Sequence, residues 1–491
     1  MSYPAARPAE RFGLPACAAI GIAVGAAALA ALELQKDLSI FTVLVLFLFP
    51  ATLWCPDRTR AQMILMILSF CVGRSFYVGE VYAGHHGGSQ GLGEFFLSDV
   101  WLMLLLASWG TSKGDGGVKG ISRLDCAVLA LLLWCLVSVV AAGGTLLGFA
   151  DLLRIVKVTL LYFYLSRNLR DETEVKIVCY TLLFTLAAQA LSIIYMYLGG
   201  TMPFNHFQNA EMEEAELFTM RRIGGTLGIT GTAVFFELMI PLAISFIFFA
   251  AGRALTLLAW PLFVLGMISV VFTASRTSIA VLFLAVLILW PWAFLRERAR
   301  RVQLLSFAAV FLVLMAFFAW MALPRLEASY MNHSMEARGS YTVIAKEIIA
   351  DRPVFGVGLN SFYENAPRYS GFRGAVSQLY GVHNVYLSFG AETGLAGIVI
   401  LGWIFVEALV FAFTNQRRGT PFVRALSLGI AAALCGSFLI SSNLGMGFKY
   451  LYTIWSYLWL FLALLAAMHR MVKKEGNAAG GGTPAKWREG A

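Results

Sequence analysis

Charge is scarce in this chain. Only 13 % of its 491 residues are Asp, Glu, Lys or Arg, against 59 % hydrophobic residues. A soluble domain carries about 25 % charge. The deficit excludes a disordered chain and a soluble α/β enzyme, and the long apolar blocks exclude a coiled coil. Paired cysteines are missing too. The seven Cys lie in or beside apolar segments and none forms a CxxC pair, so no structural disulfide, zinc or iron–sulfur site is expected. The six His form no metal-ligand spacing, so no metal and no cofactor is expected. Finger spacings, RNP-like stretches and basic helices are absent, and the net charge of +9 therefore does not point to nucleic acid. No cleavage signature outweighs the spans that follow the first apolar block, which reads as a retained helix over about 12–32. No internal repeat suggests a transporter built from inverted halves.

What the chain does have is apolar length. Thirty-eight Phe, 17 Tyr and 12 Trp suit lipid-facing and interfacial surfaces. A span needs roughly 20 apolar residues. Fourteen candidate spans emerge, near 12–32, 38–55, 61–79, 95–110, 124–141, 150–166, 175–198, 226–250, 254–273, 277–295, 302–323, 385–413, 422–441 and 449–469. The expected fold is an all-α, polytopic membrane bundle of about 14 (12–14) helices in contact with the lipid bilayer. The sixth span opens with Asp151, Arg154 and Lys157, spaced three apart on one stripe, which must face protein or water.

Basic residues fall in alternate loops. Arg58 and Arg60, Lys113 to Arg123, Arg167 and Arg170, Arg253, Arg296 to Arg301, Arg417 and Arg418, and Arg470 to Lys474 make one set. The other set holds an uncharged loop, the acidic loop 199–220 and the long loop 324–384. The positive-inside rule then puts both termini in the cytoplasm and the long loop outside. Within that loop of about 61 residues, 335–350 reads as an amphipathic helix lying on the membrane or on the bundle, ended by Pro353. Gly356 and Gly358 make a turn. The organisation expected is an N-terminal membrane scaffold over 1–221, a functional membrane domain over 222–470 that includes the loop, and a disordered tail over 471–491. The acidic loop either binds a divalent cation or is simply solvated.

Polar groups converge on the external face. Arg221 and Arg222 precede the eighth span, in a stretch that includes Gly225. Arg276 opens the tenth, Arg338 lies in the long loop, and His383, Asn384 and Tyr386 open the twelfth, followed by Glu392. Two guanidinium forks suit a diphosphate, and Gly225 beside them would allow a phosphate to approach the backbone. Arginines at helix ends also serve as interfacial anchors. An imidazole titrates near pH 6.5 and can accept a proton from a hydroxyl, although a lone interfacial His is often structural. Glu237, counted along its helix, lies roughly 16 Å deep, near the midplane. It is either a structural partner for Arg154 or Lys157, or a functional acid.

These stretches together resemble the O-antigen ligase and O-antigen polymerase superfamily. The resemblance runs from about Arg222 to Tyr452. It rests on Arg222-x-x-Gly225-Thr226, the pair Ser275-Arg276, Pro353-x-x-Gly356-x-Gly358, and His383-Asn384-x-Tyr386-Leu387 with Glu392-x-Gly394-x-x-Gly397. Ile229-Thr230-Gly231 stands where the family often has Pro-Asn, and fourteen spans exceed the usual twelve. The resemblance implies a glycan donor on undecaprenyl diphosphate, transferred without a metal at the periplasmic face of the bacterial inner membrane. It implies Arg222 and Arg276 as diphosphate ligands, Arg338 as a helper and His383 as the base; from the residues themselves, Arg221 is a further diphosphate candidate, and Asn384, Tyr386, Glu392, Gly225 and Glu237 are supporting candidates. The acceptor it implies is lipid A–core, a second glycan (as in a polymerase) or a protein hydroxyl. A solute transporter of the bicarbonate type is the reading from a different class.

Overall fold

The computed structural model describes residues 52, 55, 57–72, 75–81, 91–111, 120–198, 223–249, 252–273, 275–296, 301–326, 330–369, 382, 384–440 and 452–479. The chain divides into two compact units, 1–63 and 64–491, and nearly all described residues belong to the second. All of the first expected span, nearly all of the second, the acidic loop 199–220, Arg221, Arg222 and His383 lie outside the described residues.

The helices in chain order are α1 (Arg58–Ser69), α2 (Leu97–Thr111), α3 (Arg123–Ala141), α4 (Leu146–Asn168), α5 (Glu172–Tyr197), α6 (Gly228–Phe249), α7 (Arg253–Thr273), α8 (Arg276–Arg296), α9 (Arg301–Leu326), α10 (Tyr330–Asp351), α11 (Phe362–Asn365), α12 (Val385–Arg418), α13 (Pro421–Ile440) and α14 (Tyr452–Ala479). A short antiparallel ribbon, β1 (Ser75–Val81) with β2 (Gly91–Phe96), pairs Ser75 with Phe96 and Tyr77 with Glu94. Among the described residues, nine helices are long and apolar enough to cross a membrane: α3, α5 to α9 and α12 to α14. The protein is an all-α, multi-pass membrane protein, as composition implied.

Three expectations need correction. The expected span 61–79 is not one helix: α1 stops at Ser69 after 12 residues and the chain turns into β1. Gly73-Arg74 interrupts the apolar run, and the aromatic and β-branched residues after it favour a strand. The expected tail begins as helix, because α14 continues through Ala479 and still buries Val472. The loop helix is longer than 335–350 and lies on the bundle. Tyr341, Ile344, Ala345 and Ile348, at i, i+3, i+4 and i+7, pack with Val357, Phe362 and Ala391.

Burial sorts the spans. Every residue in the apolar window of α6 is buried in the protein, whereas only 22 % of that in α9 is, so among the described residues α6 is central and α9 peripheral. Lipid tails offer no hydrophobic drive between helices, so close approach matters. Gly429 of α13 brings that helix against Leu242 and Ser245 of α6, and Gly436 brings it against Val281 of α8.

Hydrogen bonds between helix ends define two faces. At one, Asp125 at the start of α3 is fully buried. It accepts from Tyr162 (2.6 Å), Arg167 (3.4 Å) and Arg470 (3.1 Å). Thr420, in the α12–α13 turn, donates to Glu172 at the start of α5 (2.6 Å). This end carries Arg123, Arg167, Arg417, Arg418 and Arg470. The opposite end holds the C-terminus of α3, the start of α8, the loop 352–369 and the start of α12.

Candidate active site

The site end is organised by a break in α12. Gly394 sits at φ 74°, ψ −177°, a conformation that L side chains rarely adopt, and it divides the helix into Val385–Thr393 and a longer second half. Breaking a helix strands the carbonyls before the break. Here the loop after α10 takes them. Val357 and Gly358 donate their backbone N–H groups to the carbonyls of Ala391 and Glu392, both at 2.9 Å. Ser138 of α3 donates to the Glu392 carbonyl as well, and the Trp134 indole donates to that of Thr393 (2.8 Å). The Leu395 N–H, freed on the far side, goes to the Pro353 carbonyl (2.8 Å). A side chain on Gly394 would strike the Val354 carbonyl, and one on Gly356 (φ 67°) would strike Glu392. The two glycine motifs are thus the two halves of one joint. The turn expected at Gly356 and Gly358 is present, but its task is to cap a broken helix.

The joint fixes the start of α12. The Asn384 side chain accepts from the N–H groups of Tyr386 and Leu387, both at 3.0 Å, as an N-cap. The Tyr386 hydroxyl donates to the Phe438 carbonyl of α13 (2.9 Å). Val382 is buried in the core cluster under α10. The residues on both sides of position 383 are therefore anchored, at the positively polarised end of the short first half of α12.

Arg276 is exposed at the start of α8. The Ser275 hydroxyl accepts from the Ser278 N–H (3.3 Å), and the Ser278 hydroxyl donates to Glu237 Oε1 (2.7 Å). Glu237 is thus tied to the first turn of α8, two residues past Arg276. Arg154 and Lys157 pair with other carboxylates: Arg154 with Glu94 and Asp151, Lys157 with Asp99 (2.7 Å). The Ile223 N–H donates to the Phe272 carbonyl (3.2 Å), which joins the neighbour of position 222 to the segment four residues before Arg276. Gly225 (φ 56°) is buried, and its open side is filled by Gln189, Ile193 and Thr232 rather than left for a phosphate. Arg338 lies on α10, one turn before Tyr341, with its side chain outside the description.

Beside the joint lies a small cleft of ≈40 Å³. Two stripes face it. Asp151, Arg154, Ile155 and Val158 come from α4, and Val385, Ser388, Phe389 and Glu392 from α12, each at i, i+3, i+4 and i+7. Leu359 of the loop and Trp455 of α14 complete the lining. The charged stripe on α4 was legible in the sequence. Its counterpart on α12 has the same spacing, but nothing in the sequence pairs two stripes more than 200 residues apart.

A bundle of long apolar helices with one broken span, its break capped by a loop, defines a multi-pass membrane protein. Residues 261–402 match the family model described as O-Antigen ligase, so the chain carries an O-antigen ligase-like segment. That segment spans α7 to the first part of α12 and contains Arg276, Arg338, both glycine motifs and His383. A comparison with curated proteins found no match.

Proposed function

We propose that the protein transfers a glycan from undecaprenyl diphosphate to an acceptor hydroxyl on lipid A–core at the periplasmic face, with both termini in the cytoplasm. The observation that carries this reading is the O-Antigen ligase match laid over the joint that holds the start of α12. The hydrogen bond between Ile223 and Phe272 supports Arg222 and Arg276 acting together. The clustering of Arg123, Arg167, Arg418 and Arg470 at the opposite end supports the orientation.

In this mechanism the acceptor oxygen attacks the anomeric carbon and the bond from that carbon to the phosphate oxygen breaks. Negative charge grows on the departing diphosphate, and the guanidinium groups of Arg222 and Arg276 stabilise it more in the transition state than before it. Arg338 and Arg221 assist. His383 takes the proton of the acceptor hydroxyl. Glu237 steadies the turn that presents Arg276, and Asn384 and Tyr386 steady the segment that presents His383. No metal enters these steps.

The test is a transfer assay. Purified protein in proteoliposomes receives undecaprenyl-diphosphate glycan with lipid A–core, with a second lipid-linked glycan, or with a Ser/Thr peptide. The expected product is glycan on lipid A–core. Lengthened lipid-linked chains would make it a polymerase, and glycosylated peptide a protein glycosyltransferase. Solute flux with no transfer to any acceptor would overturn the reading.

A further inference from the structure

The joint that carries the start of α12 is closed from outside the matched segment 261–402, by the hairpin of α3 and α4. Trp134 grips both halves of the joint at once. Its indole N–H donates to the Thr393 carbonyl (2.8 Å), and its ring stacks on Phe355 of the loop, with centroids 5.5 Å apart and planes 19° from parallel. One helical turn on, the Ser138 hydroxyl lies 2.9 Å from two carbonyls, that of Phe355 in the loop and that of Glu392 in α12. The two residues are four apart, so one face of α3 makes every one of these contacts. The hairpin turn continues the seat. A side chain on Gly358 would strike the Ala142 methyl, Thr145 Oγ1 is 3.4 Å from Ser361 Oγ, and a Cβ on Gly148 would lie 3.2 Å from the Leu359 carbonyl.

These contacts fall where leverage is greatest. Glu392 and Thr393 are the last residues before the break at Gly394, and the half-helix Val385–Thr393 extends from them. At 1.5 Å per residue it is about 13 Å long, so a tilt of about 5° at the break moves its start by about 1 Å. Two anchors fix the direction of a rod, whereas one lets it pivot. Tyr386 holds the far end of this rod against α13. Trp134 and Ser138 hold the near end. We propose that Trp134 and Ser138 are positioning residues for the transfer reaction: through the carbonyls of Glu392 and Thr393 they set the direction of the first half of α12, and with it the reach of His383. The proposal rests on the glycan-transfer reading above, with His383 as the base.

The experiment uses full-length protein in proteoliposomes, with undecaprenyl-diphosphate glycan and whichever acceptor the wild type takes, and rates are referred to folded protein. Trp134→Phe keeps a ring for Phe355 and removes the N–H, and Ser138→Ala removes the hydroxyl. Each should lower kcat by about 10–10²-fold, the scale of loss when a reacting group is misplaced by about 1 Å. Both KM values should change little, and the acid limb of the pH profile should remain, because the base is still present. In a His383→Ala background either substitution should cost almost nothing more, since no base is left to place. Asp125→Asn, at the opposite end of the bundle, is the comparison: it should lower stability and leave the kcat of folded protein unchanged. Unchanged kcat in folded Trp134→Phe and Ser138→Ala, or losses that multiply in full with that of His383→Ala, overturn the proposal. If Trp134→Phe does not fold, Ser138→Ala and its double variant decide alone. A wild type that transfers no glycan sinks the transfer reading and this role with it, whereas an active wild type with unimpaired variants sinks only the positioning role.

Discussion

The backbone N–H of Gly358 donates to the carbonyl of Glu392 at 2.9 Å, joining a loop to the interior of a broken membrane span. A carbonyl stranded inside a membrane protein must find a donor within the protein, since hydrocarbon supplies none. The loop is therefore part of the bundle, and damage to either glycine motif should act on the whole working face.

Gly394→Ala should disrupt this joint. The backbone conformation at Gly394 is essentially reserved for glycine and costs another residue about 1–3 kcal/mol, and the added methyl also meets the Val354 carbonyl. The variant should lower the thermal unfolding midpoint in detergent and expose the loop to protease near 353–358. An unchanged midpoint with an unchanged cleavage pattern would remove the joint as the organiser of the site.

Arg276→Ala should abolish transfer by about 10²–10³-fold, the usual loss on removing one donor to a developing charge, while the protein still inserts and unfolds as wild type. Arg276→Lys should recover only part, because an ammonium lacks the two-pronged fork. Ser278→Ala should give an intermediate loss, since it frees the turn from Glu237. Full activity of Arg276→Ala would end the diphosphate assignment.

His383→Ala should keep donor binding and lose about 10²–10⁴ in transfer rate. Wild-type activity should fall on the acid side as the imidazole takes up a proton. Residual activity of the variant should lack that limb. Equal turnover of variant and wild type would exclude His383 as the base.

Asp125→Asn should destabilise the opposite end by about 1.5–3 kcal/mol, because Arg167 and Arg470 then lose a buried charged acceptor. Arg470→Lys should not fully compensate, since its two nitrogens reach both Asp125 oxygens and the Ser166 carbonyl. The midpoint of unfolding in detergent reads both. Transfer by the folded fraction should be unaffected, which separates this structural lock from the site.

Orientation has a direct check. In a background without native cysteines, Arg352→Cys on the loop should react with an impermeant maleimide added to intact spheroplasts. Arg418→Cys should react only after permeabilisation. Both side chains are exposed in the structure, so access depends on the side of the membrane alone. The reverse pattern would move the proposed site to the cytoplasm.

The sequence alone determined the membrane class, nine of the expected spans and the residues that carry the family resemblance. Each of these is a property of a single window or a short motif: transfer of a helix into lipid depends on its own apolar length, and a cap on two or three neighbouring residues. Where a window mixed signals, as over 61–79, hydropathy alone extended a helix past the point where the backbone turns to a strand. Only the tertiary structure decided the rest. It assigned the glycines at 356, 358 and 394 to one joint and tied Glu237 to the first turn of α8. It filled the space beside Gly225 and brought the stripes of α4 and α12 face to face around a cleft. Those outcomes depend on which stranded carbonyl meets which donor and which helix packs against which. Such pairings join segments tens to hundreds of residues apart, where no local pattern records the partner.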